Sequence, residues 1–265
     1  MTAEPSAGDL QDKVVLVSGG TQGVGAAVAR AAVVAGARVA VTGRRVELGE
    51  AMVAELTALG AAEARFVRTD ITDVPQARAS VRQTVEAFGR VDCLVNAAGL
   101  TSRGTLLDTT PELFDQHVAA NLRGPFFLMQ AAVQDMRRRG EPGTIVNVVT
   151  MSAHGGQPYL APYVAAKAGL VGLTRNAAHA HRWDRIRING VNIGWTDTAG
   201  EDAVQRRFHG AGVDWREPAG KALPMGRLGR PEDAAALVVL LLSDRSGVVT
   251  GSVIDWDQQV VGGYD

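Results

Sequence analysis

Seven short runs of apolar and β-branched residues recur along the chain: KVVLVSG (13–19), ARVAVTG (37–43), EARFVRTD (63–70), VDCLVNAAG (91–99), GTIVNVV (143–149), IRINGVNI (186–193) and GSVIDW (251–256). Between them lie longer amphipathic stretches, such as GAAVARAAVVAG (25–36), VELGEAMVAELTALG (46–60) and QARASVRQTVEAFG (76–89). Strands this apolar, separated by helices, predict a sheet covered on both faces. Right-handed crossovers then give a doubly wound α/β sandwich around a mostly parallel seven-stranded sheet.

One region breaks the alternation. Thr196 to Gly229, between the sixth and seventh runs, is long for a connection in a compact domain. Insertions of this length are usually lids or substrate loops. No Pro/Gly/Ser linker divides the chain. The expectation is a single domain over 13–265, with a lid at about 196–229 before the last helix and strand, after a loose polar tail over 1–12.

Composition narrows the function. A hydrophobic fraction of 46% in 265 residues suffices for a full core. A formal charge of -1 lacks the basic surplus that nucleic acid demands, so Arg137–Arg139 and Arg206–Arg207 read as solvated helix faces. Cys93, the single cysteine, has neither a disulfide partner nor a second thiol to build a metal site. It reads as a buried strand residue in a reducing compartment. The N-terminus lacks the basic and apolar regions of a secretory signal. AAALVVLLL is too short to span a bilayer. A soluble, cytoplasmic protein is expected, with no nucleic acid, membrane or metal as partner.

The first candidate chemistry is the turn SGGTQGVGAAVA after the first run, in which Gly19, Gly23 and Gly25 precede a helix. Such a turn, formed by Gly19, Thr21, Gln22, Gly23, Val24 and Gly25, lets backbone approach a pyrophosphate, which the helix N-terminus then stabilises. The spacing is G-x-x-x-G-x-G, so an ordinary tight turn is the alternative. At the end of the second run an acid would favour an unphosphorylated adenosine ribose. Gly43 stands there instead, followed by Arg44 and Arg45, which suit a 2′-phosphate. NADP(H) is therefore favoured, with NAD(H) as the alternative. The arginines also read as solvated loop residues, offset by Glu47 in the first helical turn. Asp70, with Ile71 beside it, is a candidate for the adenine amine or for a helix N-cap. Asn96, Ala97 and Gly99 leave space beside the adenosine, or form a plain turn.

The second is Tyr163 and Lys167, at i and i+4 after Pro162 at a predicted helix start. That spacing puts both side chains on one face. An ammonium favours the phenolate over a phenol of ordinary pKa near 10, making a plausible acid–base pair for an alcohol proton.

In order along the chain, the glycine turn, NAAG, Asn121 in AANLRG, the Y-x-x-x-K pair and GRPEDAAALVVLLLSD resemble the short-chain dehydrogenases/reductases from Lys13 onward. The resemblance implies one Rossmann-like domain, a nicotinamide cofactor and hydride transfer between an alcohol and a carbonyl. It also implies a homotetramer or homodimer with the last helices and strand at an interface. Tyr163 would be the general acid/base. Lys167 would bind the nicotinamide ribose and lower the tyrosine's pKa, and Asn121 would hold a water of the proton relay. Asn121 also reads as an amide satisfying backbone groups in a helix disturbed by Pro125.

The family usually carries a serine thirteen positions before the tyrosine, three after an asparagine of the fifth strand; that position is Thr150. Ser152 lies two residues too late, a displacement of roughly 6–7 Å along a strand. Thr150 is thus assigned the hydroxyl role, with its methyl narrowing the site. After the sixth run, Ile193-Gly194 replaces a common Pro-Gly. Ile193, Gly194, Thr196 and Thr198 are the cofactor candidates there, in a loop less rigid for lack of the proline. DWDQQVVGG replaces a commoner Asp-Gly-Gly near the C-terminus.

Ser152, His154, Tyr159, Trp195, Phe208 and Trp215 are candidates for the substrate cleft, Gln157 lying among them in sequence. The lid's Arg206, Arg207, Phe208, His209, Trp215 and Lys221 suit a polar or anionic substrate with Trp215 as apolar wall, or a helical pair packed on its own core. The leading expectation is an NADP-dependent alcohol dehydrogenase/carbonyl reductase acting on a small molecule. The alternatives are a regulatory or scaffold protein on an inactive fold, or a related enzyme that retains its cofactor for epimerisation or dehydration.

Overall fold

The computed structural model describes residues 8–262. All seven runs form strands: β1 Val14–Ser18, β2 Arg38–Gly43, β3 Ala64–Arg68, β4 Cys93–Asn96, β5 Gly143–Thr150, β6 Ile186–Ile193 and β7 Val253–Trp256. They make one sheet in the order β3-β2-β1-β4-β5-β6-β7, and every pairing is parallel. The helices are α1 Gly23–Val34, α2 Val46–Ala58, α3 Val74–Phe88, α4 Pro111–Val118, α5 Gly124–Arg139, α6 Ala161–His181, α7 Ala199–His209, α8 Arg216–Lys221 and α9 Pro231–Leu242.

Alternation along β1 shows why both faces must be apolar. Val15 and Val17 join the cluster under α1 and α9, whereas Val14 and Leu16 join the one under α3, α5 and α6. Each fully buried aliphatic side chain contributes about 1.5–3 kcal/mol of burial. Cys93 lies enclosed in β4, where burial pushes its thiol up to about 12. No described helix is long and apolar enough to cross a membrane.

The expected tail needs shortening. Residues 1–7 lie outside the described residues, but Leu10 is fully buried and its N–H bonds Ala35 O at 2.9 Å. As a lone apolar residue Leu10 gives no periodic signal in a polar stretch; α1 supplies the surface that covers it.

Strand order reverses between β1 and β4, opening a crevice at their C-terminal ends, where open α/β sheets bind ligands. The long insertion folds as α7 and α8, with its roots tied together. Gly229 N–H bonds Trp195 O and Asp197 N–H bonds Gly229 O, each at 2.9 Å. α4 runs into α5 through a π-helical turn, Ala119–Arg123. Pro125 lacks an N–H, so the carbonyl four residues back, that of Asn121, loses its α-helical donor.

Candidate active site

The glycine turn sits at the switch point. Gly19 has φ +75°, and a Cβ there would lie 2.6 Å from Ala98 backbone; one on Gly25 would overlap the Gly19 carbonyl. Ala97 N–H bonds Ser18 O at 2.9 Å, closing β1 onto β4. Gln22, the N-cap of α1, makes no side-chain cap bond, so the first N–H groups of α1 face the crevice without one. The Gln22 amide holds Arg45 instead. Val24 is buried in the core and offers only backbone to a ligand. Thr198 comes across from the lid root to 3.6 Å from where a Gly23 Cβ would stand. Ser18 Oγ and Asn96 Oδ1 are buried at the strand ends without hydrogen-bond partners. This cradle fits a dinucleotide.

Gly43 faces Thr21, whose side chain would lie 3.0 Å from a Cβ. Arg44 and Arg45 are exposed next to it. Asp70 is not the helix cap: its Oδ1 accepts from Thr72 N–H at 2.9 Å and Thr72 Oγ1 at 2.7 Å, and Asp73 caps α3. These bonds and the nearby Arg44 hold the Asp70 carboxyl below its usual range despite burial. Ile71 packs over Gly124 at the start of α5.

Tyr163 and Lys167 are both buried on α6. Burial pushes the Tyr163 hydroxyl up to about 12, opposed by a hydrogen bond from Thr150 and, more weakly, by the charge of Arg103; Glu201 adds to the rise. The expected lowering by Lys167 is not among the influences on the tyrosine. Its Nζ donates to Val148 O at 2.9 Å and stands 6.0 Å from the tyrosine ring centre. Burial brings Lys167 itself down to about 8. Near pH 7 the tyrosine is therefore protonated and the lysine mostly charged.

Of the two hydroxyls, that of Thr150 acts on Tyr163, and its Oγ1 also donates to Ser152 Oγ at 3.3 Å. Ser152 Oγ donates to Gln157 Oε1 at 2.8 Å, and Ser152 N–H bonds Thr150 Oγ1 at 3.2 Å. His154 is engaged by Asp255 at 2.9 Å and Asn192 at 3.2 Å, which ties the turn after β5 to β6 and β7.

Asn121, fully buried in the π turn, spends its amide on the backbone. Its Oδ1 accepts from Leu100 N–H and its Nδ2 donates to Leu100 O, both at 3.0 Å. Gly99 lies against it, a Cβ there meeting Oδ1 at 3.1 Å. Sequence reading missed His117, enclosed one turn earlier. Its ring contacts Asn121 Nδ2 at 3.3 Å and Ser102 Oγ at 3.0 Å, and meets Tyr163 edge-on with ring centres 6.1 Å apart. Burial lowers its pKa, favouring the neutral ring. Its i−4 relation to Asn121 was the available signal. Arg103 was missed too, for want of periodicity in its loop.

The loop after β6 differs in detail. A Cβ on Gly194 would overlap the Asp257 carboxylate, so the glycine serves that contact as well as any ligand. Thr196 is buried and its Oγ1 bonds Gly194 O at 2.9 Å; Ile193 closes β6 beside Trp256. Trp215 is not a cleft wall. It is 7% exposed beneath Trp195, which is 39% exposed, the rings stacked at 5.8 Å. Asp202 accepts from Trp215 Nε1 at 2.8 Å and pairs with Arg206 and Arg216. Lys221 pairs with Glu217 at 2.6 Å. Tyr159 and Phe208 remain partly exposed, with Arg103 between them.

The comparisons agree with this arrangement. Residues 19–263 match the family model described as enoyl-(acyl carrier protein) reductase. The L-rhamnose 1-dehydrogenase (NAD(P)(+)) of Sphingomonas sp. (strain SKA58) is 36% identical, over 92% of this chain and 94% of that protein. The 3alpha-hydroxysteroid dehydrogenase of Mediterraneibacter gnavus is 34% identical, over 94% of this chain and 96% of its own length. A crystal structure of a short-chain type dehydrogenase/reductase from Mycobacterium marinum superposes with a TM-score of 0.88 at 31% identity, covering 96% of this chain and 98% of that one. With the match spanning the glycine turn, the strand ends and the tyrosine–lysine helix together, the chain belongs to the short-chain dehydrogenase/reductase family.

Proposed function

We propose that the chain is an NADP-dependent alcohol dehydrogenase/carbonyl reductase with Tyr163 as its general acid/base. Membership of the family carries NAD(P)-dependent oxidoreduction between alcohol and carbonyl. The finer reading rests on one observation above all: Tyr163 and Lys167 are buried together on α6, with the Thr150 hydroxyl acting on the tyrosine.

The nicotinamide, when bound, donates or accepts the hydride. The chain's own residues handle the proton. In carbonyl reduction the protonated Tyr163 gives its hydroxyl proton to the oxygen that becomes the alcohol. Thr150 Oγ1 donates to the same oxygen as charge develops on it. In the reverse direction Tyr163 must first ionise; the positive nicotinamide, when bound, would offset the burial penalty, with Lys167, charged below about pH 8, on the same helix face. Asn121 holds the loop at Leu100 and presents a carbonyl deprived of its α-helical donor by Pro125, suited to a relay water.

NADP is favoured because Gly43 carries no acid, and Arg44 makes no hydrogen bond among the described residues. Gly19, Thr21, Gln22, Gly23, Gly25 and Thr198 would surround the pyrophosphate, and Asp70, Ile71, Asn96, Ala97 and Gly99 the adenosine side. Ile193, Gly194 and Thr196 would meet the carboxamide. For assembly we hold to a homodimer or homotetramer. In support, edge strand β7 is only half-buried, and Val260 and Val261 beyond it stay exposed. Sedimentation velocity tests this.

The test of activity is a panel of carbonyls and secondary alcohols, with nicotinamide absorbance followed for each cofactor. Tyr163→Phe and Thr150→Ala run beside wild type. NADP-linked turnover that both variants lose supports the reading. Cofactor binding without turnover across the panel would favour the regulatory alternative.

A further inference from the structure

Three segments converge at the mouth of the cleft. The stretch after β4 is laced to the approach of α6, since Gly104 N–H bonds Tyr159 O at 2.9 Å and Ala161 N–H bonds Gly104 O at 3.0 Å. The end of α7 closes over both. Arg103 stands where they meet.

Its guanidinium centre lies 5.3 Å from the Tyr159 ring and 6.0 Å from the Phe208 ring. Nε and Nη2 point at His209 Nε2, at 3.2 and 3.1 Å, and Nη1 donates to Thr101 O at 2.9 Å. His209 Nε2 thus accepts from the guanidinium. A guanidinium carries five N–H groups, so Nη1 and Nη2 each keep one that is unspent among the described residues. Arg103 also lacks a carboxylate partner there, whereas its lid neighbours Arg206 and Arg216 are ion-paired with Asp202 and Asp197.

A staple between loop and lid needs only the ring contacts and the histidine. An uncompensated cation clamped between two aromatic faces, with N–H groups left over, is instead prepared for a forked anion. Gly104, the next residue, lies against Pro162, the neighbour of Tyr163 in α6, so Arg103 stands near the reacting end of the cleft, and its charge is felt at the Tyr163 hydroxyl. Glu201, in the first turn of α7, also acts on Tyr163. Its Oε1 accepts from Trp195 Nε1 at 2.9 Å and Gln205 Nε2 at 2.7 Å, while Oε2 has no hydrogen bond among the described residues. An acid lacking hydroxyls would meet repulsion there; one carrying them would donate to Oε2.

We infer that Arg103 binds the carboxylate of a hydroxy- or oxo-acid substrate, with Glu201 accepting from a hydroxyl of the same molecule. This rests on the oxidoreductase reading above and names its substrate class.

Matched probes decide it: gluconate against gluconamide, and 3-hydroxybutyrate against 3-hydroxybutyramide, each with cofactor. Wild type is expected to prefer acid over amide in kcat/KM by about 10–100-fold, the range of one charge-assisted hydrogen-bonding site. Arg103→Met should bring that ratio near one, and Arg103→Lys, which keeps the charge but not the fork, should fall between. Equal treatment of acid and amide by wild type, or equal loss on both in Arg103→Met, overturns the assignment. Calorimetric titration of the cofactor-loaded protein with gluconate and gluconamide gives a readout that needs no turnover. Arg103-dependent binding of gluconate alone would sustain the site even if hydride transfer failed, and no such preference in binding or turnover would sink it.

Discussion

Thr150 Oγ1 donates to Ser152 Oγ at 3.3 Å and acts on the Tyr163 hydroxyl, thirteen residues further on, while Ser152 Oγ donates to Gln157 Oε1. The strand-end threonine is thus the hydroxyl we assign to Tyr163. Thr150→Ala should lower kcat by about 10²–10³-fold, the usual cost of one donor to a developing oxyanion, whereas Thr150→Ser should stay within several-fold of wild type. Ser152→Ala should cost far less than Thr150→Ala. The reverse order in steady-state kinetics would transfer the role to Ser152.

Burial shifts the pair in opposite directions, so each leaves its own mark on stability. Lys167 titrates near 8 when folded and at an ordinary 10.5 when unfolded. Between those values the unfolded chain binds more protons, and stability rises with pH by up to about 1.4 kcal/mol per unit. Tyr163 titrates near 12 folded against 10.0 unfolded, so from 10 to 12 its contribution falls with pH. Denaturant midpoints of the ligand-free protein across pH 8–11 should lose the first slope in Lys167→Met and the second in Tyr163→Phe.

Gly43 offers a direct handle on cofactor choice. An aspartate there would press on Thr21 and set a carboxylate beside Arg44 and Arg45. Gly43→Asp is expected to weaken NADP binding at least about 10-fold, and to narrow or invert its advantage over NAD. The Arg44→Ala/Arg45→Ala double variant should weaken NADP while sparing NAD. Titration of cofactor fluorescence separates the two.

Trp215 anchors the lid through Trp195 and Asp202. Neither α7 nor α8 belongs to the two main core clusters. Trp215→Ala should therefore open the lid with little change in global Tm. Limited proteolysis around 210–214 should accelerate about tenfold or more, with a higher KM. A large drop in Tm with unchanged proteolysis would show the lid to be part of the main cooperative unit.

All seven strands were legible because a parallel sheet buried on both faces needs unbroken β-branched runs. Thr150 was marked by the spacing that the resemblance supplies, thirteen positions before Tyr163, and not by any pattern of its own. Electrostatics was less visible. Spacing predicts that Lys167 meets Tyr163, but not that enclosure outweighs charge. The cap of α3 passed from Asp70 to Asp73 because local hydrogen bonds with Thr72 compete for the first acid. Arg103 and His117 were missed because a polar residue on a loop or a helix looks solvated until other segments close around it. Trp215 was placed on the cleft because a large apolar residue in a polar insertion suggests a wall; the stacking that hides it is tertiary.

The approach of Asp257 to Gly194 also joins two stretches far apart in the chain. The loop after β6 and the segment beyond β7 share one space, so any side chain at 194 has to displace the Asp257 carboxylate. A change at the edge of the sheet therefore reaches the loop at the mouth of the crevice.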